Sequence, residues 1–165
     1  MATITLEGNE IHTSGELPAV GSTAPAIHLT DGELNDVGLD DFSGKKKLLN
    51  IVPSLDTGVC AMSAKKFDEA ASKHSDTVFL TISADLPFAQ GRFCEAENIE
   101  SVKTLSMMRS KNFAKDYGVL ITDGPLAGIS ARAVVVLDAN NKVLYTELAP
   151  EIAQEPDYDK ALAAL

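Results

Sequence analysis

Two cysteines, Cys60 and Cys94, are the residues of this 165-residue chain with the most distinctive chemistry. An ionised cysteine is a strong nucleophile that attacks substrates, is readily oxidised and forms disulfides. Two cysteines are too few for a secreted disulfide scaffold, and neither has a histidine or a third cysteine at zinc-ligand spacing. We therefore predict neither a metal ion nor a cofactor, which leaves inert buried thiols or catalytic thiols as alternatives.

Cys60 lies at the predicted start of a helix, in the string Pro53-Ser-Leu-Asp-Thr57-Gly-Val-Cys60 that follows an apolar strand. With Thr57 as the N-cap, its hydroxyl accepts a hydrogen bond from an early helical N–H and Cys60 takes the third helical position. The positive end of the helix dipole favours a thiolate there. Periodicity alone instead favours a buried, inert cysteine, because Cys60 shares an apolar helical stripe with Phe67.

The elements that must position these cysteines follow from hydrophobic patterning and turn signals. Strands are predicted at residues 3–6, 10–13, 47–52, 77–83, 102–105, 133–137 and 142–148. Helices are predicted at residues 58–74, at 85–96 with Asp85 as the cap, at 111–117 and at 157–165. Glycine and asparagine in Glu7-Gly8-Asn9 tolerate the positive φ of a hairpin turn. The result is an α/β fold in which helices flank a mixed central sheet and an N-terminal β-hairpin comes first.

Composition limits the size of the fold and the partners that it can bind. The chain is 45% apolar and 23% charged, which is typical of one globular domain, predicted to span residues 1–165 with residues 1–15 as a hairpin extension. Because 24 acidic residues outnumber 14 basic ones, the formal charge is −10, which disfavours nucleic acid and anionic membrane surfaces as partners. No signal peptide or apolar span is evident, so we expect a cytoplasmic protein.

The string from Pro53 to Cys60 resembles the peroxidatic motif of the peroxiredoxins, which are thioredoxin-fold enzymes. Further segments resemble the thiol peroxidase subfamily of bacteria and occur in the same order: Ser83-Ala-Asp-Leu-Pro-Phe-Ala-Gln90, Arg92-Phe93-Cys94, Asp123-Gly-Pro-Leu and Ala131-Arg132-Ala-Val-Val-Val. The resemblance extends over nearly the whole chain. It implies a thioredoxin-like fold and a thiol-dependent peroxidase that acts on hydrogen peroxide and alkyl hydroperoxides.

The resemblance also implies roles for individual residues. Cys60 would be the peroxidatic cysteine, oxidised by the hydroperoxide to a sulfenic acid. Arg132 would be the active-site arginine, although an arginine at a strand edge is, from the residues alone, a solvated surface charge. The Thr57 hydroxyl would donate a hydrogen bond in the site, and Pro53 would shield the thiol.

Cys94 corresponds by the same resemblance to a resolving cysteine that forms an intramolecular disulfide with Cys60. Gly91 lies in the middle of its predicted helix and weakens that helix by up to about 1 kcal/mol relative to alanine. From the residues alone, Cys94 is equally compatible with a buried thiol. The family implies thioredoxin as the reductant and a homodimer as the assembly.

Other classes of cysteine protein fit the sequence less well or equally well. A dithiol oxidoreductase would need a cysteine where Thr57 stands. A cysteine hydrolase would need a histidine base, yet His74 lies about 21 Å from Cys60 by helical rise. A peroxide-sensing or binding domain would use the same two cysteines, and this alternative stays open.

Overall fold

The central sheet forms from the apolar runs of the sequence, and the helices pack on both of its faces. The computed structural model describes residues 1–110 and 112–165. Over these residues, the strands are β1 (Thr3–Leu6), β2 (Asn9–His12), β3 (Leu29–Thr30), β4 (Asp36–Val37), β5 (Lys46–Ile51), β6 (Thr77–Ser83), β7 (Lys103–Ser106), β8 (Ala133–Leu137) and β9 (Val143–Leu148). The helices are α1 (Gly58–Ala71), α2 (Pro87–Ala96), α3 (Asn112–Asp116) and α4 (Tyr158–Ala163), with a 3-10 helix at Leu39–Phe42.

The main sheet is mixed and has the strand order β4-β3-β7-β6-β5-β8-β9. Strand β6 runs parallel to β5 and β7, whereas β8 runs antiparallel to both β5 and β9. Parallel neighbours require crossover connections, and α1 and α2 supply them between β5 and β6 and between β6 and β7. The predicted α/β class with a mixed central sheet is confirmed.

Strand β8 shows how the sheet holds α1 in place. All of its residues are buried, as expected of a strand covered on both faces. Val134 and Val136 pack with Phe67 of α1 and Ala161 of α4, whereas Val135 packs into the core on the other face. Full burial of such a side chain stabilises the fold by about 1.5–3 kcal/mol. These contacts hold α1 against this face of the sheet through Phe67.

The N-terminal hairpin pairs β1 with β2 in a separate two-stranded sheet. Its turn has positive φ at Glu7 (51°) and Gly8 (82°), so β2 begins at Asn9 rather than at residue 10. A two-residue turn of this type needs positive φ at both central residues. Glu7 and Gly8 are those residues, so Glu7 rather than Asn9 adopts the left-handed conformation. Ile4 and Ile11 are buried in the main core, so the hairpin packs firmly against the sheet.

Several short elements were not predicted, and some ends differ. Strands β3 and β4 have two residues each, too few to show an alternating apolar pattern, so no pattern predicts them. Helix α4 begins after Asp157, whose side chain accepts from the Lys160 N–H at 3.1 Å. The predicted helix at 111–117 is represented by α3, and its first residue, Lys111, lies outside the described residues. Within those residues, no helix has the length and apolar character needed to cross a bilayer.

Candidate active site

Cys60 occupies the third position of α1, as the sequence predicts. Its side chain is 0% exposed and packs with Val52, Leu55 and Ala64 in a small apolar cluster. The first turn of a helix leaves N–H groups without helical partners and carries the positive end of the dipole. The buried sulfur therefore lies next to the N–H groups and the positive dipole end of the helix start.

Arg132, directly before β8, contacts this sulfur. The Nη1 atom of Arg132 donates to Cys60 Sγ at 3.3 Å, and its Nε donates to the carbonyl oxygen of Ile152 at 2.8 Å. The side chain is only 1% exposed, so the interpretation of Arg132 as a solvated surface charge is wrong. A buried guanidinium is costly unless its donors are satisfied, and these contacts satisfy them in part. The result is a fixed positive charge against the sulfur.

Ser130 connects the segment before β8, which carries Arg132, to the loop between β5 and α1 (residues 52–57, the cysteine loop). Its buried hydroxyl donates to the carbonyl oxygen of Val52 at 2.9 Å, and Val52 directly precedes Pro53. The connection joins the two segments that carry the cysteine and the arginine. Sequence reasoning missed Ser130, because a single serine before an apolar strand carries no spacing signal.

Pro53 and Thr57 frame the loop between β5 and α1. Pro53 is buried, and Thr57 is the exposed N-cap of α1. Within the described part of the chain, no helical N–H donates to the Thr57 hydroxyl, so the expected side-chain cap is absent. The hydroxyl instead donates to the carbonyl oxygen of Ser54 at 2.9 Å. Local hydroxyl-to-carbonyl bonds of this kind compete with capping.

Asp85 holds the same loop from the neighbouring strand end. Its carboxylate accepts from the Ser54 hydroxyl, the Leu55 N–H and the Ser83 hydroxyl, each at 2.7 Å. The prediction that Asp85 caps α2 is wrong, because the N-cap of α2 is Leu86 and has no side-chain cap. The donors of the cysteine loop compete successfully for the carboxylate.

Gln90 extends this hydrogen-bond network into α2. Its buried Nε2 donates to Ser83 Oγ at 3.0 Å and to the Leu105 carbonyl oxygen at 2.9 Å. Ser83 in turn donates to Asp85. The loop before Cys60 and the helix that carries Cys94 are therefore joined by one polar network. Ser83, Asp85 and Gln90 lie in one segment that resembles the family, but their spacing did not indicate which groups bond to each other.

Cys94 lies in α2 and is half-buried, and both cysteines are free thiols. Burial raises the pKa of the Cys94 thiol, the charge of Asp68 raises it further, and a hydrogen bond with Thr104 lowers it. Cys94 therefore stays protonated to higher pH than an ordinary cysteine. The reduced thiol is held in a form that is a poor nucleophile.

Phe93 separates the surroundings of the two cysteines. Cys94 packs against the apolar cluster that contains Phe67, whereas Cys60 belongs to the cluster around Leu55. Phe93 packs against both clusters. A groove of about 590 Å³, lined by Phe93 and by loop residues including Leu55, lies between α2 and the cysteine loop. The face of α2 towards the loop is therefore only partly packed.

Two of the three histidines, His12 and His74, contact residues other than Cys60. His12 Nδ1 lies 2.6 Å from Asp123 Oδ2, and the His74 ring lies 6.2 Å from the ring of Phe79. Among residues 1–110 and 112–165, no group of three or more His, Cys, Asp or Glu side chains could hold a metal ion. The geometry around Cys60 is thus that of a cysteine paired with an arginine.

A mixed α/β sheet with a cysteine in the first turn of α1 and an arginine against its sulfur defines a thiol enzyme of the peroxiredoxin class. The model of the Redoxin family matches residues 19–162. The chain belongs to the Redoxin family.

Individual relatives agree with this assignment. The sequence is 59% identical over 165 residues to the thiol peroxidase of Mycobacterium tuberculosis, covering 100% of this chain and 99% of the relative. It is 53% identical, with the same coverage, to the thiol peroxidase of Corynebacterium glutamicum. The solved structure of a peroxiredoxin-like protein from Aquifex aeolicus has a TM-score of 0.93 at 39% identity, covering 99% of this chain and 95% of that chain. The predicted thioredoxin-like fold and the predicted enzyme class, a thiol peroxidase, are confirmed.

Proposed function

We propose that this protein reduces hydrogen peroxide and alkyl hydroperoxides, with Cys60 as the peroxidatic cysteine, Cys94 as the resolving cysteine and thioredoxin as the reductant. The observation that carries the proposal is the 3.3 Å contact from Arg132 Nη1 to Cys60 Sγ. A buried cation against a sulfur at a helix start favours the thiolate that the reaction needs.

In the first step, the Cys60 thiolate attacks one oxygen of the hydroperoxide. An S–O bond forms as the O–O bond breaks, so the sulfur is oxidised to a sulfenic acid. The leaving oxygen takes up a proton from solvent and departs as water or an alcohol. Negative charge thus moves from sulfur to oxygen, and the forked donors of Arg132 can interact with both atoms.

Thr57 and Pro53 support this step from the loop. Thr57 is exposed at the N-cap, so its hydroxyl can exchange the Ser54 carbonyl for a peroxide oxygen. Pro53 is buried and has no N–H, so it closes the wall beside the sulfur without adding a donor that competes for it. Both roles are consistent with the resemblance to the peroxidatic motif.

In the second step, the Cys94 sulfur attacks the sulfenic sulfur of Cys60. An S–S bond forms, the S–O bond breaks and water leaves. A disulfide needs Cα atoms roughly 4.4–6.8 Å apart, but the cysteines pack in different clusters with Phe93 against both. We infer that α2 opens locally before the bond forms.

Recycling requires a reductant that supplies two electrons, and a dithiol does so by two successive thiol exchanges. Thioredoxin is the dithiol protein that the family resemblance implies, and the reducing cytoplasm is a compartment in which both proteins would work. Leu86 and Phe88, at the start of α2, are 51% and 68% exposed. Such apolar exposure beside the site is consistent with a homodimer that packs there.

A peroxide-consumption assay driven by thioredoxin, its reductase and NADPH tests this proposal. We expect many turnovers for each protein molecule. Consumption of a single equivalent, with no sustained turnover, would favour the alternative of a peroxide-sensing or binding domain.

Two cysteine variants assign the roles. We expect Cys60→Ser to lose the reaction with hydroperoxide, whereas Cys94→Ser still consumes one equivalent and accumulates a trappable sulfenic acid. Rapid consumption of one equivalent by Cys60→Ser would show that the assignment of the two cysteines is wrong.

A further inference from the structure

The carbonyl oxygen that orients Arg132 belongs to a segment held by the N-terminal hairpin. Arg132 Nε donates to the Ile152 carbonyl, and the Arg132 carbonyl accepts from the Ala149 N–H at 3.0 Å. The Ile152 N–H donates to the carbonyl of Thr5 in β1 at 2.9 Å, and the Thr5 N–H donates to the carbonyl of Pro150 at 2.8 Å. The segment 150–152 is thus attached to Arg132 on one side and to β1 on the other.

Glu151 strengthens this attachment with its side chain. Its carboxylate accepts from the Glu7 N–H at 2.9 Å and from the Gly8 N–H at 3.4 Å, and it also accepts from the Thr5 hydroxyl. The positive φ angles of Glu7 and Gly8 turn both N–H groups towards the carboxylate, as in backbone anion sites. The Thr5 hydroxyl and these N–H groups hold the pKa of Glu151 below its ordinary value, so it stays ionised.

The geometry of a guanidinium links this anchor to the cysteine. Its donors lie in one rigid plane, so a bond at Nε determines where Nη1 points. A shift of the Ile152 carbonyl would rotate the plane and move Nη1 away from Cys60 Sγ. Displacement of a positioned group by about 1 Å can cost about 10²-fold in rate.

We propose that the N-terminal hairpin is a positioning element for Arg132 and that Glu151 is the positioning residue that couples the hairpin to it. This inference rests on the role of Arg132 under the proposed function. Glu151 touches neither the sulfur nor the peroxide, and it acts through the Ile152 carbonyl.

The experiment compares Glu151→Ala, Glu151→Gln and Thr5→Val in the full-length protein. We expect Glu151→Ala to slow oxidation of Cys60 by hydroperoxide about tenfold, with smaller losses in the other two variants, which keep part of the anchor. Formation of the disulfide from the sulfenic acid should keep its wild-type rate, because Arg132 is not placed against Cys94.

A spectroscopic readout reports on Arg132 directly. The chain contains three arginines, Arg92, Arg109 and Arg132, so isotopic labelling of arginine gives few Nε–H signals and an Arg132→Lys variant identifies the relevant one. In Glu151→Ala, we expect that signal to shift and its exchange with solvent to accelerate. The signal reports on the coupling even in a protein that consumes no peroxide, so failure of the inference and failure of the proposed function are distinguishable.

Asp138→Ala is the matched control. Asp138 lies at the opposite end of β8, where its carboxylate accepts from the N–H groups of Asn140 and Lys142 in a turn. We expect this variant to keep the oxidation rate and the Arg132 signal. A wild-type rate and an unchanged Arg132 signal in Glu151→Ala, or equal losses in Asp138→Ala, would overturn the proposal.

Discussion

The Nη1 atom of Arg132 and the Sγ atom of Cys60 lie 3.3 Å apart, although 72 positions separate the residues in the chain. The pairing of β5 with β8 explains the contact. In the antiparallel register, Ile51 faces Ala133, so Arg132, just before β8, lies beside the residues that follow β5. The loop after β5 then carries Cys60 back towards the arginine on the first turn of α1.

This contact makes Arg132→Met a sensitive test of the charge at the sulfur. Loss of a preorganised donor typically costs 10²- to 10³-fold, so we expect peroxide oxidation of Cys60 to slow by about that factor. Stopped-flow measurement of the oxidation step gives the rate. Arg109→Met is the control, because Arg109 forms an exposed ion pair with Asp36. A rate for Arg132→Met within about threefold of wild type would contradict the expected role.

The sequence was sufficient to predict the strand and helix that carry Cys60 because both have strong local signals. Buried apolar residues mark β5, and Thr57 marks the helix start. The neighbours of the sulfur depend on strand order and register, which are non-local. Resemblance to a family, not periodicity, therefore pointed to Arg132.

Bonds that depend on competition between nearby groups were predicted least well. Asp85 and Thr57 both occupy positions typical of caps, yet each bonds to the cysteine loop instead. The outcome depends on where the loop places Ser54 and Leu55, and no local pattern encodes that placement. For the same reason, no local pattern predicted the hydrogen bond from the Glu7 N–H in the hairpin turn to the Glu151 carboxylate.

Asp85→Ala should destabilise the cysteine loop. It removes a carboxylate that accepts from Ser54, Leu55 and Ser83, and hydrogen bonds to charged groups contribute about 1.5–3 kcal/mol each when well shielded. Because Asp85 is only partly buried, we expect a total loss of about 1–3 kcal/mol in the free energy of unfolding. Urea denaturation measures it.

Asp56→Ala is the control for this prediction, since Asp56 is an exposed carboxylate of the same loop. We expect it to keep the stability of the wild type within about 0.5 kcal/mol. We also expect slower peroxide oxidation in Asp85→Ala alone. Equal stability in the two variants would show that the network does not hold the loop.

The raised pKa of the Cys94 thiol predicts how stability depends on pH. The folded protein keeps this proton to higher pH than the unfolded chain, so the contribution is complete below the ordinary pKa of 9.0. It is lost as pH rises through the folded value. We therefore expect the free energy of unfolding to fall more steeply above about pH 9 in wild type than in Cys94→Ser.

Urea midpoints measured from about pH 7 to pH 10 test this difference. Three tyrosines with raised pKa values also contribute at alkaline pH, but they are common to both proteins: Tyr117, which is buried, and Tyr145 and Tyr158, which are partly buried. The comparison therefore isolates the cysteine. Parallel curves for the two proteins would show that Cys94 has the same pKa in the folded and unfolded states.

Gly91→Ala should slow disulfide formation without slowing the peroxide step. A Cβ at Gly91 would meet no atom within 4 Å, so alanine fits without strain. Alanine stabilises a helix interior by up to about 1 kcal/mol relative to glycine, which makes opening of α2 up to about fivefold rarer. Rapid-mixing kinetics separate the two steps. Gly32→Ala is the control, because Gly32 also has open space but lies outside α2.

Hydrogen exchange on the reduced and oxidised proteins tests the opening itself. If the disulfide can form only after α2 unwinds, the amides of residues 87–96 should lose protection in the oxidised protein and gain it in reduced Gly91→Ala. Those of α1 should stay protected, because its first turn must remain folded to hold Cys60 against Arg132. Equal protection of residues 87–96 in both redox forms, with an unaltered disulfide rate in Gly91→Ala, would show that no opening is needed.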